Sequence, residues 1–244
     1  MTVTDLSPRP GPPALVLVAH GSRDPRALST VRALVDRVRA RRPGLPVRLG
    51  HIELNEPLLP DTLAALGDTE AVLVPLLLGR GYHVKRDIPA TAAAAGARTR
   101  VAAPLGPHPL LADTLHARLR EAGWRPRPAS AVVLAAAGSR APDSAADTNR
   151  MADLLAARLG VPVLPGYASA AAPTVPEAIT ALRARGRRHI ALASYFTAPG
   201  RFATECAAHA PWLASAPLGA HDAMADLVLH RYEQSLATPV TAAA

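Results

Sequence analysis

The stretch "LVLVAHGSRDP" (residues 15–25) joins an apolar run to a turn of small residues, and a near copy of it occurs later in the chain. The copy, "AVVLAAAGSRAP" (residues 131–142), keeps Gly-Ser-Arg but has Ala137 where the first stretch has His20. A short apolar run that ends in a glycine turn and precedes a segment of helical period is typical of a strand followed by a helix. The repeated stretch therefore predicts two α/β halves that share a fold and differ at one imidazole.

Three further blocks of the first half recur, in the same order, in the second half. Residues 56–66 match 172–182, residues 74–83 match 193–202 more loosely, and residues 103–119 match 216–232. Self-similarity of this kind indicates an internal duplication.

The duplication divides the chain into two predicted lobes, residues 12–124 and 131–236. The linker between them, "RPRPAS" (125–130), contains prolines that disfavour helix. Residues 1–11 and 237–244 are predicted to be flexible tails.

Composition indicates a globular protein without a membrane segment. Hydrophobic residues make up 49% of the 244-residue chain and charged residues 19%. The longest apolar runs are far shorter than the roughly 20 residues that cross a bilayer, and no secretion signal is visible at the N-terminus. A single cysteine, Cys206, excludes an internal disulfide and a thiolate metal cluster. We therefore expect a cytoplasmic protein.

The net charge of +8 predicts an anionic partner. Nucleic acid is not expected, because the chain has no zinc-finger spacing and only 3% aromatic residues to stack on bases. A small polyanionic ligand fits the charge equally well.

Within each half, short continuously apolar runs alternate with segments of helical period. This pattern predicts an α/β fold in which a four-stranded, doubly wound parallel sheet is flanked by helices on both faces. Ligands of such sheets bind at the carboxyl ends of the strands, which here places an active cleft between the lobes. The predicted strands of the first half lie near residues 14–19, 46–53, 71–78 and 98–103, and the helices near 25–41, 60–67, 84–96 and 108–122.

Ionisable side chains stand where the first three strands end. His20 ends the first strand, Glu53 ends the second with Glu56 just beyond it, and His83 follows the third. Because the first strand of a doubly wound sheet lies beside the second and third, these side chains should converge on one mouth. Two imidazoles and a carboxylate there predict a site for a divalent metal with a proton acceptor nearby.

The second half provides an internal comparison for these four positions. Structural roles should be kept about equally in both copies, whereas one site in a shared cleft requires only one set of reactive groups. A lone histidine more often caps a strand or bonds to backbone, but the joint loss of all four residues favours a functional site. The correspondences are His20 with Ala137, Glu53 with Ser169, Glu56 with Ala172 and His83 with Phe202.

The blocks "VLVAHGSRDPRA", "ELNEP", "PLLLGRGYHVKRDIP" and "PLGPHPLLADTL" resemble the signature blocks of the sirohydrochlorin chelatases, a family of class II tetrapyrrole chelatases. The resemblance extends over essentially the whole chain, in the duplicated form with a degenerate C-terminal half. It implies an enzyme that inserts a divalent metal into sirohydrochlorin on the routes to sirohaem and cobalamin. The iron–sulfur cysteine motif and histidine-rich tail of some members are absent from this sequence.

The resemblance also implies roles for the candidate residues. His20 and His83 match the paired metal-handling, catalytic histidines of the family, and Glu53 matches an acidic residue near the site, although Glu53 and Glu56 both stay open for that role. Fe²⁺ or Co²⁺ is implied as a substrate, with iron slightly favoured, and no tightly bound cofactor.

The substrate implied by the resemblance is a polycarboxylate, for which cations near the histidine loops are candidate partners. Arg140 and Arg201 could close over it from the second lobe. The candidate substrate-binding residues of the first lobe are Ser22, Arg23, Glu56, Arg80, Lys85 and Arg86.

Several secondary assignments complete the prediction. Ser22 and Ser139 are predicted to cap the helices that follow them, and so are His108 and His221, because both copies keep them. A non-catalytic carrier of tetrapyrrole or metal, and an inactive homologue with a regulatory role, are the alternatives to the enzyme. The cleft between lobes of one chain predicts a monomer, with a dimer left open.

Overall fold

The computed structural model of the protein describes residues 11–95 and 99–238. The first half comprises β1 (Ala14–Ala19), α1 (Pro25–Arg41), β2 (Val47–His51), α2 (Leu59–Ala64), β3 (Ala71–Pro75), a π-helix (His83–Asp87), α3 (Ile88–Ala94), β4 (Thr99–Val101) and α4 (Pro109–Glu121). The second half comprises β5 (Ser130–Ala136), α5 (Pro142–Leu159), β6 (Val163–Tyr167), α6 (Val175–Ala184), β7 (His189–Ser194), α7 (Arg201–Ala208), β8 (Leu213–Ala214) and α8 (Asp222–Ala237).

The two sheets have the same topology, and all their strands are parallel. Their strand orders are β2-β1-β3-β4 and β6-β5-β7-β8, so the first strand of each half lies between the second and the third. All six residues of β1 are at most 5% exposed, as expected for a strand that is covered on both faces. The predicted fold of two similar four-stranded, doubly wound lobes is confirmed.

Helices cover both faces of each sheet. On one face of the first sheet, α2 and α3 pack on Val16 and Leu73, and α6 and α7 cover the corresponding face of the second sheet. The opposite faces of both sheets contribute to one continuous apolar core with α1, α4, α5 and α8. This shared core joins the two lobes.

The last helix of each half packs on the other half. α4 contacts α5 and β7 of the second lobe, and α8 contacts α1 and β3 of the first lobe. Ion pairs accompany the apolar contacts, with Arg41 Nε 2.7 Å from Asp226 Oδ1 and Arg158 Nε 2.7 Å from Asp113 Oδ1. This exchange of terminal helices between the lobes was not predicted, because an amphipathic pattern shows which face of a helix is buried but not which sheet that face packs against.

Element boundaries differ from the prediction mainly near the cleft. α1 begins and ends where predicted, with Asp24 accepting a hydrogen bond from Arg26 N and Pro25 in the first position. β2 and β3 end early, at His51 and Pro75. Glu53 therefore lies in a turn two residues beyond its strand.

The helix predicted at 84–96 begins as a π-helix, in which Ile88 N–H donates to the carbonyl of His83. Such single π-turns are frequent at functional sites. At the C-terminus, α8 continues to Ala237, inside the range predicted as a tail. Residues 1–10 and 239–244 of the predicted tails, and residues 96–98, lie outside the described part of the chain. No helix that the structure describes is both long and apolar enough to cross a membrane.

Candidate active site

The cleft lies at the carboxyl edges of the sheets, where the two lobes face each other. β1 and β3 are neighbours in the first sheet, and the chain leaves them toward opposite faces. His20 follows β1 directly, and His83 begins the π-helix after β3. The two histidines thus come from the pair of strands that flank the topological switch point, where such sheets bind ligands.

Gly21 brings the loop after β2 against the end of β1. Its φ of +105° and its position allow the carbonyl oxygen of Glu53 to lie where a Cβ would be, 1.8 Å from the ideal Cβ position. Glu53 N also donates to the carbonyl of His20, at 3.0 Å. Gly138 has the same geometry in the second lobe, with φ +89° and the Ser169 carbonyl 1.9 Å from its ideal Cβ. The turn glycine is therefore required in both copies, independently of the histidine.

The two imidazoles meet edge to face. His20 Nε2 and His83 Nε2 are 3.1 Å apart, and the ring planes are inclined at 88°. On the far side of each ring stands a carboxylate, with His20 Nδ1 3.6 Å from Glu53 Oε1 and His83 Nδ1 2.5 Å from Asp87 Oδ2. The Asp87 carboxylate at His83 Nδ1 and the Gly21 carbonyl, 3.3 Å from His20 Nδ1, favour the tautomers protonated at Nδ1, which leaves the Nε2 lone pairs facing each other. Two such lone pairs are satisfied by a shared proton or by a shared cation.

Asp87 and Asn55 belong to this arrangement and were missed in the sequence. Asp87 carries the carboxylate at His83, and the spacing His-x-x-x-Asp within one helical segment was the available signal. Asn55 Oδ1 accepts a hydrogen bond from Ser22 N at 2.7 Å, which ties the loop after β2 to the Gly-Ser-Arg turn. In the residues that the structure describes, no group of three or more His, Cys, Asp or Glu side chains is arranged to hold a metal ion.

The cleft has a volume of about 1140 Å³ and is lined by both lobes. This is at the upper limit of pockets that hold drug-sized ligands. Leu54 and Tyr82, 51% and 66% exposed, line it beside the histidine loops. Phe196 and Phe202 line it from the second lobe, and the Arg201 guanidinium lies 4.7 Å from the centre of the Phe202 ring. The walls are therefore apolar, with cations near them.

The candidate substrate residues divide into those that line the cleft and those that do not. Ser22 and the exposed Arg23 line it, as does Arg201 of the second lobe. Arg86 and Arg140 are exposed but lie outside the lining.

The two candidate glutamates also separate. Neither glutamate lines the cleft, and Glu56 Oε2 accepts a hydrogen bond from Leu58 N at 3.1 Å. Glu53 is the carboxylate that lies at His20.

Arg80 and Lys85 pair with carboxylates of α5 rather than facing the cleft. Arg80 Nη2 lies 2.7 Å from Asp147 Oδ1, and Lys85 Nζ pairs with Asp143. The hydrogen bond from Arg80 to Asp147 raises the pKa of Arg80, and the one from Lys85 lowers the pKa of Asp143. Each cation therefore already neutralises a carboxylate of the protein, which leaves less of its charge for a substrate carboxylate.

The predicted serine caps are wrong in position. Ser22 Oγ accepts from Asp24 N at 3.1 Å, and Ser139 Oγ accepts from Ala141 N at 3.2 Å. Both hydroxyls therefore brace the turn before the helix, because the chain needs two more residues to reach the first helical N–H groups.

The predicted histidine caps are confirmed. His108 Nδ1 accepts from Leu110 N, and His221 Nδ1 accepts from Ala223 N, each at 3.2 Å. Cys206 is 2% exposed, and burial raises the pKa of its thiol to about 11, which makes it unreactive.

Comparison with known proteins gives consistent matches. Residues 14–122 and 131–235 each match the protein-family model described as CbiX. The sirohydrochlorin ferrochelatase of Bacillus subtilis is 30% identical over 179 residues, which are 69% of this chain and 68% of that protein. The sirohydrochlorin cobaltochelatase of Methanococcus maripaludis is 39% identical over 79 residues, 31% of this chain and 55% of that protein. The chain thus spans about half the length of such methanogen relatives.

A solved structure shares the fold over nearly the whole chain. SirB from Bacillus subtilis with Fe³⁺ superimposes with a TM-score of 0.75 at 25% sequence identity. The match covers 92% of this chain and 95% of that one.

Proposed function

Because the chain belongs to the sirohydrochlorin chelatase family described as CbiX, we propose that it inserts a divalent metal ion, Fe²⁺ or Co²⁺, into sirohydrochlorin. The observation that carries the proposal is the pair of imidazole Nε2 atoms 3.1 Å apart, each ring backed by a carboxylate. The pair lies in a cleft of about 1140 Å³ between the lobes. The metal is a substrate in this reaction, and the tetrapyrrole is its acceptor.

The spacing of the two nitrogens suits a single metal ion. With a metal–nitrogen bond of about 2.1 Å, as for imidazole on zinc, nitrogens 3.1 Å apart subtend an angle of about 95° at the metal. That angle corresponds to neighbouring positions of an octahedral ion and is somewhat below the tetrahedral angle. Two protein ligands replace part of the hydration shell and leave the other positions to water and to the incoming pyrrole nitrogens.

The same side chains supply acceptors for the two protons that the macrocycle must lose. As the metal passes to the pyrrole nitrogens, the Nε2 lone pairs of His20 and His83 become free to accept those protons. Glu53 and Asp87 stand at the Nδ1 atoms, where they stabilise the imidazolium that forms. Each histidine is thus both a metal ligand and a proton acceptor, and the two histidine–carboxylate pairs together can accept the two protons that the macrocycle releases.

The walls of the cleft suit a flat macrocycle with carboxylates at its periphery. Leu54, Tyr82 and Phe202 offer apolar surface to its faces, while Arg23 and Arg201 lie within the lining to pair with its carboxylates. The net charge of +8 attracts such an anion over a longer range.

Iron is the metal that we propose as the preferred substrate. A relative that matches across both halves of the chain, from Bacillus subtilis, is a sirohydrochlorin ferrochelatase. Imidazole ligands suit Fe²⁺ and Co²⁺ alike. The preference is tested by comparing kcat/KM for the two ions under anaerobic conditions.

The test of the function is a spectral assay. Purified protein is mixed anaerobically with sirohydrochlorin and Co²⁺ or Fe²⁺, and the absorbance change of metallation is compared with that of the protein-free mixture. His20→Ala and His83→Ala should each lower the rate by about 100-fold or more, because each removes a metal ligand and a proton acceptor.

His209→Ala is the matched control, because His209 is exposed at the end of α7 and outside the cleft lining. It should retain the wild-type rate. Tight binding of sirohydrochlorin without accelerated metallation would instead identify a carrier. Unchanged rates in both site variants would refute the assignment of the two histidines.

A further inference from the structure

The segment that leads from β3 to His83 is held by side chains of the second lobe. Thr197 Oγ1 donates to the carbonyl of Leu76, and Tyr195 Oη donates to the carbonyl of Leu78, each at 3.0 Å. Two residues further on, Arg80 N donates to Asp147 Oδ2 at 2.9 Å. Three backbone groups at alternate positions are thus bonded across the lobe boundary, the last of them three residues before His83.

Asp147 is the strongest of these contacts. Its side chain is 5% exposed, and it accepts from Arg80 Nε at 3.0 Å and Nη2 at 2.7 Å as well as from the backbone. Among residues 11–95 and 99–238, Asp147 is the only Asp, Glu, Lys or Arg that is buried. A buried carboxylate is tolerated when donors surround it, so Asp147 holds the Arg80 backbone and side chain in one arrangement.

The phenol of Tyr195 remains a donor at all ordinary pH values. Burial, with a smaller effect of the Asp147 carboxylate, raises the pKa of Tyr195 well above its usual value. Gly106 leaves room for this contact, because a Cβ there would lie 2.2 Å from Tyr195 Oη.

The duplication shows that these contacts run in one direction. In the register that pairs His83 with Phe202, Tyr195 and Thr197 correspond to Leu76 and Leu78, which have no side-chain donor. In the same register Arg80 corresponds to Pro199, and in the register that pairs His20 with Ala137, Asp147 corresponds to Thr30. The two leucine side chains and Pro199, which has no N–H, therefore cannot form the reverse hydrogen bonds, and the Thr30 hydroxyl donates to the carbonyl of Arg26 in its own helix. At two of the three positions the second copy thus carries a hydroxyl where the first copy has a leucine.

We propose that the second lobe is a clamp that positions His83, with Asp147, Tyr195 and Thr197 as its positioning residues. The proposal rests on the proposed function, because it explains how one of the two metal-binding imidazoles is held at 3.1 Å from the other. Lys85, paired with Asp143 of the second lobe, extends the same attachment into the π-helix. The degenerate half thus contributes to the chemistry by fixing a residue of the other half.

The experiment uses the full chain and three single variants, Asp147→Asn, Tyr195→Phe and Thr197→Val. For Asp147→Asn we expect kcat for metallation to fall about 10- to 100-fold, because displacing a catalytic group by about 1 Å has effects of that size. KM for sirohydrochlorin should change little, since none of the variants removes a proposed carboxylate partner. Each hydroxyl variant should show a smaller loss of kcat.

Two readouts separate positioning from general stability. Amide hydrogen exchange of residues 76–82 should become about 2- to 10-fold faster in each variant, as expected for the loss of one hydrogen bond. The affinity for Co²⁺ without tetrapyrrole, followed by its visible absorption, should fall in parallel with kcat. Asp113→Asn is the matched control, because it removes an exposed ion pair between the lobes, with Arg158, and should leave all three measurements unchanged.

A double variant tests whether Asp147 acts through Arg80. If it does, Asp147→Asn combined with Arg80→Met should lose no more kcat than Asp147→Asn alone. Should Asp147→Asn fail to fold, the two hydroxyl variants carry the test. Wild-type kcat and Co²⁺ affinity in soluble, folded variants would overturn the clamp. An inactive wild-type protein would instead overturn the proposed function, while exchange and Co²⁺ affinity still decide whether the clamp exists.

Discussion

Replacing Gly21 with alanine should separate the two sides of the site. The new Cβ would lie 1.8 Å from the Glu53 carbonyl oxygen, whereas ordinary contacts begin at 3.4 Å, so the two loops must move apart by about 1.6 Å. Glu53 Oε1 is now 3.6 Å from His20 Nδ1, and a shift of this size removes the carboxylate from the imidazole. A misplacement of about 1 Å can cost about 100-fold in rate, so we expect a loss of that order.

The duplication supplies a control with nearly the same steric cost. A Cβ at Gly138 would lie 1.9 Å from the Ser169 carbonyl oxygen, and both glycines have positive φ. Left-handed strain and overpacking together should lower the free energy of unfolding by about 2–4 kcal/mol in either variant. For a chain of this size, that corresponds to a fall in Tm of about 5–15 °C. Only Gly21→Ala also displaces a reactive carboxylate.

The assay measures anaerobic metallation of sirohydrochlorin at a temperature at which both variants are folded, together with their thermal unfolding. Gly138→Ala should lose at least about tenfold less activity than Gly21→Ala for the same fall in Tm. Equal losses of activity would mean that destabilisation alone is responsible. A Gly21→Ala variant with the wild-type rate would refute the role of the Gly21 contact in placing Glu53.

Three further predictions concern charge, orientation and pH. Arg23→Ala should raise KM for sirohydrochlorin and flatten the dependence of KM on salt. Arg140, the corresponding residue of the second copy, lies outside the cleft lining, so Arg140→Ala should leave the salt dependence unchanged. Equal salt dependence in both variants would count against a contact between Arg23 and the substrate. Asp87→Asn should lower the affinity for Co²⁺ by about 10- to 100-fold, because it removes the carboxylate that orients His83. An unchanged Co²⁺ affinity would mean that other contacts orient the His83 ring. Burial lowers the pKa of His51 below its ordinary value of 6.5, so the unfolded chain takes up the proton at a higher pH than the folded protein does. The contribution of His51 to stability is therefore complete above pH 6.5 and falls as the pH drops from there through the folded pKa. Thermal unfolding at decreasing pH should show this loss, and His51→Gln should lose less; identical pH profiles would exclude His51 as a source.

The architecture could be predicted because its signals are local or repeated. β1 is apolar at every position, which a strand buried on both faces requires, and its copy at 131–136 repeats the pattern. Once the sheet is doubly wound, the first strand neighbours the third, so the loops that carry His20 and His83 leave the same edge of the sheet. Strand order therefore brings these loops together, whereas the 3.1 Å contact between the imidazoles and the place of Glu53 at His20 depend also on the contacts that hold each loop.

The partners of charged residues could not be predicted in the same way. Arg80 and Lys85 stand next to the histidine loop, and their charge fits a substrate carboxylate as well as one of the protein. The choice depends on Asp143 and Asp147, whose helix reaches them only after the lobes have packed together. Beyond β3, likewise, the carbonyls of Leu76 and Leu78 are bonded by Thr197 and Tyr195 of the second lobe.

The exchange of terminal helices explains why the second half persists without reactive residues of its own. α8 covers β3 and α1 of the first lobe, where Leu227 and Val228 join the same apolar core as Leu15 and Leu17. Without the second half, the part of that face beneath α8 would be exposed to water, at about 25 cal/mol for each Å² of apolar surface. Loss of a histidine from the second copy leaves this burial intact, whereas loss of the fold removes both the core and the clamp on His83. The fold of the second half is therefore constrained at positions where its chemistry is not.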